Sequence, residues 1–250
     1  MGMPYDSVEP IGSRAVLGLI VLQSDETIEQ DYQRCFPQGD VAIYVSRVPS
    51  GTEVTTDTLP MMEAELPRAA SLLPPSLRFD AVGYGCTSGA TVIGPDRVAA
   101  LVEGAANVAA VSDPLSAVRA GLAALGVSRI GLVSPYIAEV TAPLCAALQA
   151  SGSEVVASVS FDERVEERVA RIDPASIRAA ALAVGRDPGV EAVFLSCTNL
   201  RTLDVISEIE DLLGKPVISS NQALAWHMAR LAGVTGGPTF GRLMRLGGVG

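Results

Sequence analysis

The chain has 250 residues, a length suited to one large domain or two small lobes. Apolar residues make up 48% and charged residues 18%, which supplies a core and excludes disorder as the main state. With 28 acidic against 18 basic residues the net charge is −10, which excludes nucleic acid and anionic membrane as partners, because binding to phosphates is driven by Lys and Arg.

In chain order, strand-like runs at 15–22 and 41–48 precede a helix-like stretch at 58–73. A strand at 80–85, a helix at 95–105, a short strand at 108–111 and a helix at 115–125 follow. The second half reads strand 129–134, helix 143–150, strand 154–159, helix 174–184, strand 191–196, helix 202–213 and strand 216–220. The strand-like runs are nearly continuous in Val, Ile and Leu, the pattern of strands buried on both faces. Pro95, Pro114 and Pro174 fall at helix starts, and Gly126, Gly152 and Gly214 follow helix ends. The charged run 162–171 reads as a solvated helix face, and the Gly-rich stretch after Gly233 as a fraying tail. Alternation of strand and helix predicts an α/β fold with mainly parallel sheets. No apolar run reaches the roughly 18 residues needed to cross a bilayer, and the first lacks the basic flank of an export signal. A cytoplasmic protein is expected. So hydrophobic a chain is also expected to leave apolar helix faces for a homo-oligomer.

An internal repeat divides the chain. Asp80-Ala81-Val82 with Cys86-Thr87 recurs 111 residues later as Glu191-Ala192-Val193 with Cys197-Thr198. Ser112-Asp113 recurs as Ser220-Asn221, and Gly18-Leu19-Ile20-Val21 matches Gly131-Leu132-Val133. The period is too long for a solenoid. It predicts two Rossmann-like lobes related by a pseudo-twofold, at 15–113 and 114–221, with 222–250 forming a C-terminal helix and tail that cross back to the first lobe.

The cysteines are Cys35, Cys86, Cys145 and Cys197. They form no C-x-x-C pair and a single histidine, His227, accompanies them, so neither a zinc set nor a disulfide framework is expected. Cys35 lies in a loop-like stretch and Cys145 in a helical pattern; both read as structural. Cys86 and Cys197 each close a strand, and ligands of open α/β sheets bind outside the strands' carboxyl ends. A lone cysteine there is usually a small hydrophobe. Its recurrence at the matching point of both lobes has no packing reason and predicts one thiol on each side of a shared cleft. A helix starting directly after each cysteine would lower its thiol pKa. The N–H groups there, with the hydroxyls of Thr87, Ser88 and Thr198, would hold a carboxylate.

The segments GCTSG at 85–89, SCTNLR at 196–201 and SSNQA at 219–223 resemble the maleate cis-trans isomerase and arylmalonate decarboxylase branch of the aspartate/glutamate racemase superfamily, which includes members associated with ectoine degradation. The resemblance spans nearly the whole chain. It implies a two-lobed fold, cofactor-free chemistry, a small carboxylate substrate and catalytic roles for Cys86 and Cys197. It also implies that Tyr136 contacts the substrate carboxylate, and it places Asn199 among the substrate-binding residues. The decarboxylases carry glycine in place of the first cysteine, so Cys86 argues against that activity. The isomerases resemble Thr-Asn-x-Thr after the first strand, the Asn holding a carboxylate; this chain has Ser24-Asp25-Glu26-Thr27. An ionised Asp25 would repel a dicarboxylate and favour a substrate with an amino or amidine group. The competing role for Asp25 is a helix N-cap.

Other chemistries lack their motifs. The loop after the first strand has no glycine cradle for a dinucleotide, Gly83-Tyr84-Gly85 with Gly89 has the wrong spacing, and no P-loop occurs. His227, beside Trp226, reads as a partly buried hydrogen-bonded histidine. The sequence therefore points to a cofactor-independent two-cysteine isomerase, either a cis-trans isomerase or a racemase. A decarboxylase, or a non-catalytic ligand-binding protein with two lobes around a cleft, is the alternative.

Overall fold

The computed structural model describes residues 2–51 and 61–246. The first lobe is built from β1 (Ala15–Leu22), α1 (Ile28–Cys35), β2 (Val41–Val48), α2 (Met61–Ser71), β3 (Ala81–Gly85), α3 (Thr87–Ile93), α4 (Pro95–Glu103) and β4 (Val111–Ser112). After α5 (Pro114–Leu125) the pattern repeats with β5 (Arg129–Ser134), α6 (Ala138–Ala150), β6 (Glu154–Ser160), α7 (Glu166–Val169), α8 (Pro174–Gly185), β7 (Ala192–Leu195), α9 (Leu203–Leu213) and β8 (Val217–Ser219). The chain continues through α10 (Ser220–Leu231) and α11 (Gly241–Arg245).

The sheets have the same order, β2-β1-β3-β4 and β6-β5-β7-β8, and every pairing is parallel. The duplicated α/β architecture read from the repeat is the one observed. Leu17, Leu19 and Ile20 in β1 and Ile130, Leu132 and Val133 in β5 are fully buried, as central strands covered on both faces require. Local chemistry fixes the helix starts. Asp113 accepts the N–H groups of Leu115 and Ser116 before Pro114 opens α5, and Asp173 accepts that of Ala175 at α8. Ser219 and Gln222 form a reciprocal capping box on α10.

Helices α5 and α10 pack on each other, and each reaches the opposite sheet. α5 touches β8, while α10 lies on β3 and β4 and against α1. α11 packs on α9 and β8, so the last described helix returns to the second sheet rather than the first, and it buries Leu243 where a fraying tail was expected.

Several local expectations are corrected. Cys35 ends a helix, α1, instead of sitting in a loop. α6 begins at Ala138 and carries Pro143 inside it; the carbonyl that Pro143 leaves unpaired belongs to the exposed Glu139, where water can satisfy it. β4 shrinks to Val111–Ser112, with Val108 making one isolated bridge to Phe79. Residues 58–60 of the expected 58–73 helix lie outside the described residues. Among the described residues no helix is long and apolar enough to cross a membrane.

Candidate active site

β3 and β7 deliver Cys86 and Cys197 at the equivalent ends of the two sheets. Cys86 is the N-cap of α3, with an extended backbone and its Sγ accepting the Gly89 N–H at 3.2 Å. Glycine is needed at position 89 because a Cβ there would lie 2.9 Å from Cys86 Sγ and 2.5 Å from the Tyr84 hydroxyl. Cys197 is held differently. Its φ is +127°, a region that L residues avoid at a cost of about 1–3 kcal/mol. No helix follows it directly, since α9 starts only at Leu203, so the expected helix start is present after Cys86 and absent after Cys197. Ser220 Oγ accepts the Cys197 N–H at 3.0 Å, and the Asn199 N–H donates to Cys197 Sγ at 3.2 Å.

The two cysteine loops are bonded to each other. Thr87 Oγ1 donates to Ser220 Oγ at 2.9 Å, so one hydroxyl joins the residue after Cys86 to the backbone of Cys197. In the reverse direction Thr198 Oγ1 donates to the Gly85 carbonyl at 3.3 Å. Ser88 is buried in the first turn of α3. Ser220 lies in one of the singled-out segments, but its bridging role was not legible there.

Tyr136, two residues past β5, places its hydroxyl 3.0 Å from Cys197 Sγ and donates to Glu166 Oε1 at 2.7 Å. Asn199 Nδ2 donates to Glu166 Oε2 at 3.1 Å, while its Oδ1 accepts the Glu26 N–H at 2.9 Å. The Asn199 amide is thus committed to holding α7 and the loop after β1. Glu166 is 3% exposed. The run 162–171 is therefore not a solvated face throughout: the single turn α7 points Glu166 and Val169 inward. The i, i+3 spacing of those two residues was the one local signal.

Asp25 combines features of both roles weighed for it. Its Oδ1 accepts the N–H groups of Thr27 and Ile28 at 2.8 and 2.9 Å, capping α1. Its Oδ2 is buried with no hydrogen-bond partner among the described residues. Away from these groups, His227 Nδ1 lies 2.8 Å from Ser112 Oγ, and Cys145 is half-buried on α6. Among the described residues, no group of three or more His, Cys, Asp or Glu is placed to hold a metal ion.

Burial dominates the electrostatics. It pushes the Cys86 thiol up to about 12 against the lowering effect of the Gly89 N–H, and the charges of Glu166 and Asp25 push the same way. Burial also raises Cys197 well above the usual thiol range, with Glu166 adding to it and Tyr136 and Asn199 opposing. The expected lowering of the thiol pKa values is overturned: one N–H does not offset desolvation plus two nearby carboxylates. Both thiols rest protonated at neutral pH. Burial raises the carboxyls of Glu166 and Asp25 as well.

The sequence family described as arylmalonate decarboxylase matches residues 101–244, more than half of the chain. The chain belongs to that family. Within and around it, the arylmalonate decarboxylase of Bordetella bronchiseptica is 39% identical over 133 residues, covering 51% of this chain and 55% of that protein. The maleate isomerase of Geobacillus stearothermophilus is 29% identical over 220 residues, covering 82% and 86% respectively. In overall fold the chain is similar to a Nocardia farcinica maleate cis-trans isomerase mutant with a covalently bound succinylcysteine intermediate, with a TM-score of 0.85 at 24% identity over 92% of this chain and 98% of that one.

Proposed function

We propose that this family member is a cofactor-independent isomerase of small carboxylates, with Cys86 and Cys197 as its catalytic residues. The observation that carries this is the mutual bonding of the two cysteine loops through Thr87, Ser220, Thr198 and Gly85, which supports a shared site by tying the loop of one thiol to that of the other. The similarity to the Geobacillus maleate isomerase over most of both chains supports isomerisation, and the thiol at position 86 speaks against decarboxylation.

On an enoate, Cys86 first gives its proton to solvent; its thiolate sulfur then adds to one alkene carbon, moving the π electrons to the other carbon as a carbanion. Cys197 gives that carbanion its proton. Rotation about the new single bond follows. Cys197 then takes the proton back and the C–S bond breaks, returning the thiolate and the trans alkene. Ser88 supplies a hydroxyl for the substrate carboxylate, Thr87 and Thr198 shape the site with their protons given to Ser220 and Gly85, and Tyr136 sets its hydroxyl next to Cys197. Asn199 serves by shaping this wall. The bare Oδ2 of Asp25 favours a substrate with an N–H or ammonium group over a second carboxylate. A cytoplasmic setting and a homo-oligomer complete the proposal, the exposed Tyr5, Val8 and Ile11 offering apolar area for a second copy.

The test is turnover of maleate and of cis-4-aminocrotonate in deuterated water, followed by NMR. Cis-to-trans conversion is expected, reduced at least about 1,000-fold in Cys86→Ser and in Cys197→Ser while ligand affinity persists. Deuterium gain with loss of optical activity in an α-chiral acid would show racemisation instead. Unchanged turnover in either thiol variant would overturn the proposal.

A further inference from the structure

We infer that Glu166 stores the proton of Cys197, reached through the hydroxyl of Tyr136. The inference rests on the proposed role of Cys197 as proton donor and acceptor. It follows from counting protons. The Tyr136 hydroxyl has one proton and donates it to Glu166 Oε1 at 2.7 Å. Its 3.0 Å approach to Cys197 Sγ is then a hydrogen bond given by the S–H to the phenolic oxygen. Sulfur, hydroxyl and carboxylate form one chain of donors ending on a carboxylate oxygen.

In the transfer the S–H bond breaks as a new O–H bond forms on Tyr136, and the former Tyr136 proton moves to Glu166 Oε1. One proton crosses from sulfur to carboxylate and one negative charge moves from Glu166 to Cys197. Tyr136 carries no charge at the end, which suits a phenol that burial pushes well above its usual range. Asn199 serves both end states. Its Nδ2 donates to Glu166 Oε2 at 3.1 Å when the charge sits there, and its backbone N–H donates to Cys197 Sγ at 3.2 Å when the charge has moved.

Glu166 is also built for this task rather than for holding the fold. It is 3% exposed and receives hydrogen bonds from neutral groups only, with no salt bridge among the described residues. An unpaired buried carboxylate weakens a fold unless it does something else. Burial raises its proton affinity above that of an ordinary carboxyl, the direction a proton acceptor needs. Glu166 acts through Tyr136 and Cys197 and does not touch substrate.

The experiment compares Glu166→Gln, Tyr136→Phe, the double variant and Cys197→Ser, with maleate or cis-4-aminocrotonate as substrate. Glu166→Gln keeps the length and an acceptor for the tyrosine but cannot take a proton. It should lower kcat by about 100-fold with KM little changed, and remove the acidic limb of the kcat–pH profile. Tyr136→Phe should lose a similar factor, and the double variant should be no worse than either. Wild-type kcat and an intact acidic limb in Glu166→Gln, or losses that multiply in the double variant, would overturn the relay. If Cys197→Ser turns over normally, the isomerase proposal itself has failed. If only Cys197→Ser is impaired, the relay alone has. A substrate-free arm titrates thiolate absorbance, taking the difference from Cys197→Ser. Removing the Glu166 charge should lower the Cys197 pKa, and an unshifted titration counts against the inference.

Discussion

At the scale of single residues, the four cysteines separate by burial. Cys35, Cys86 and Cys197 are buried, and Cys145 is half-exposed on α6. Since alkylation follows thiolate fraction and access, iodoacetamide should label Cys145 first at neutral pH. The site pair should lag by at least about 10-fold, as read by peptide mass spectrometry after short exposure. Earlier labelling of Cys86 would mean that the site opens or that its thiol is more acidic than its burial implies. The sequence singled out Cys86 and Cys197 because cysteine recurs where each half ends a strand. It could not give their acidity, because Glu166 and Asp25 come close only after folding. Glu166 stayed hidden for a related reason: in a charged run, a carboxylate that will meet Tyr136 and Asn199 looks like any other.

At the scale of elements, strands were legible because a strand covered on both faces must be apolar along its length, as β1 and β5 are. α1 was not. Its inward face is Ile28, Asp31, Tyr32 and Cys35, the i, i+3, i+4, i+7 pattern of a helix with a carboxylate in place of a hydrophobe. The start of α6 was misplaced because a proline was read as a beginning. The junction of β3 and α3 carries a sharper requirement, with Gly89 wedged beneath Cys86 Sγ and Tyr84. Gly89→Ala should force that turn apart, lowering stability by about 1–3 kcal/mol in urea unfolding and cutting kcat more than the lost stability accounts for. A variant with unchanged midpoint and kcat would show that the turn yields freely.

At the scale of the whole molecule, Asn221 on α10 ties the halves by donating to Asp31 Oδ2 on α1 at 2.8 Å and to the Thr198 carbonyl at 2.7 Å. Burial pushes the Asp31 carboxyl up to about 7 from its ordinary 3.8. A raised carboxyl favours the folded state when protonated, so its contribution is complete below about pH 4 and fades as pH climbs through about 7. The melting temperature should therefore fall from about pH 5 to about pH 8, and Asp31→Asn should flatten that slope, with Asp25 and Glu166 supplying the remainder. Equal slopes in variant and wild type would remove Asp31 from the linkage. The swap of α5 and α10 across the middle has a broader outcome. Whatever ancestor was doubled, neither copy can now stand alone, since each wears the other's lid. A nick in the turn between α5 and β5, at residues 126–128, would leave each piece without the helix that reaches its sheet, and the two would fold only in one another's company.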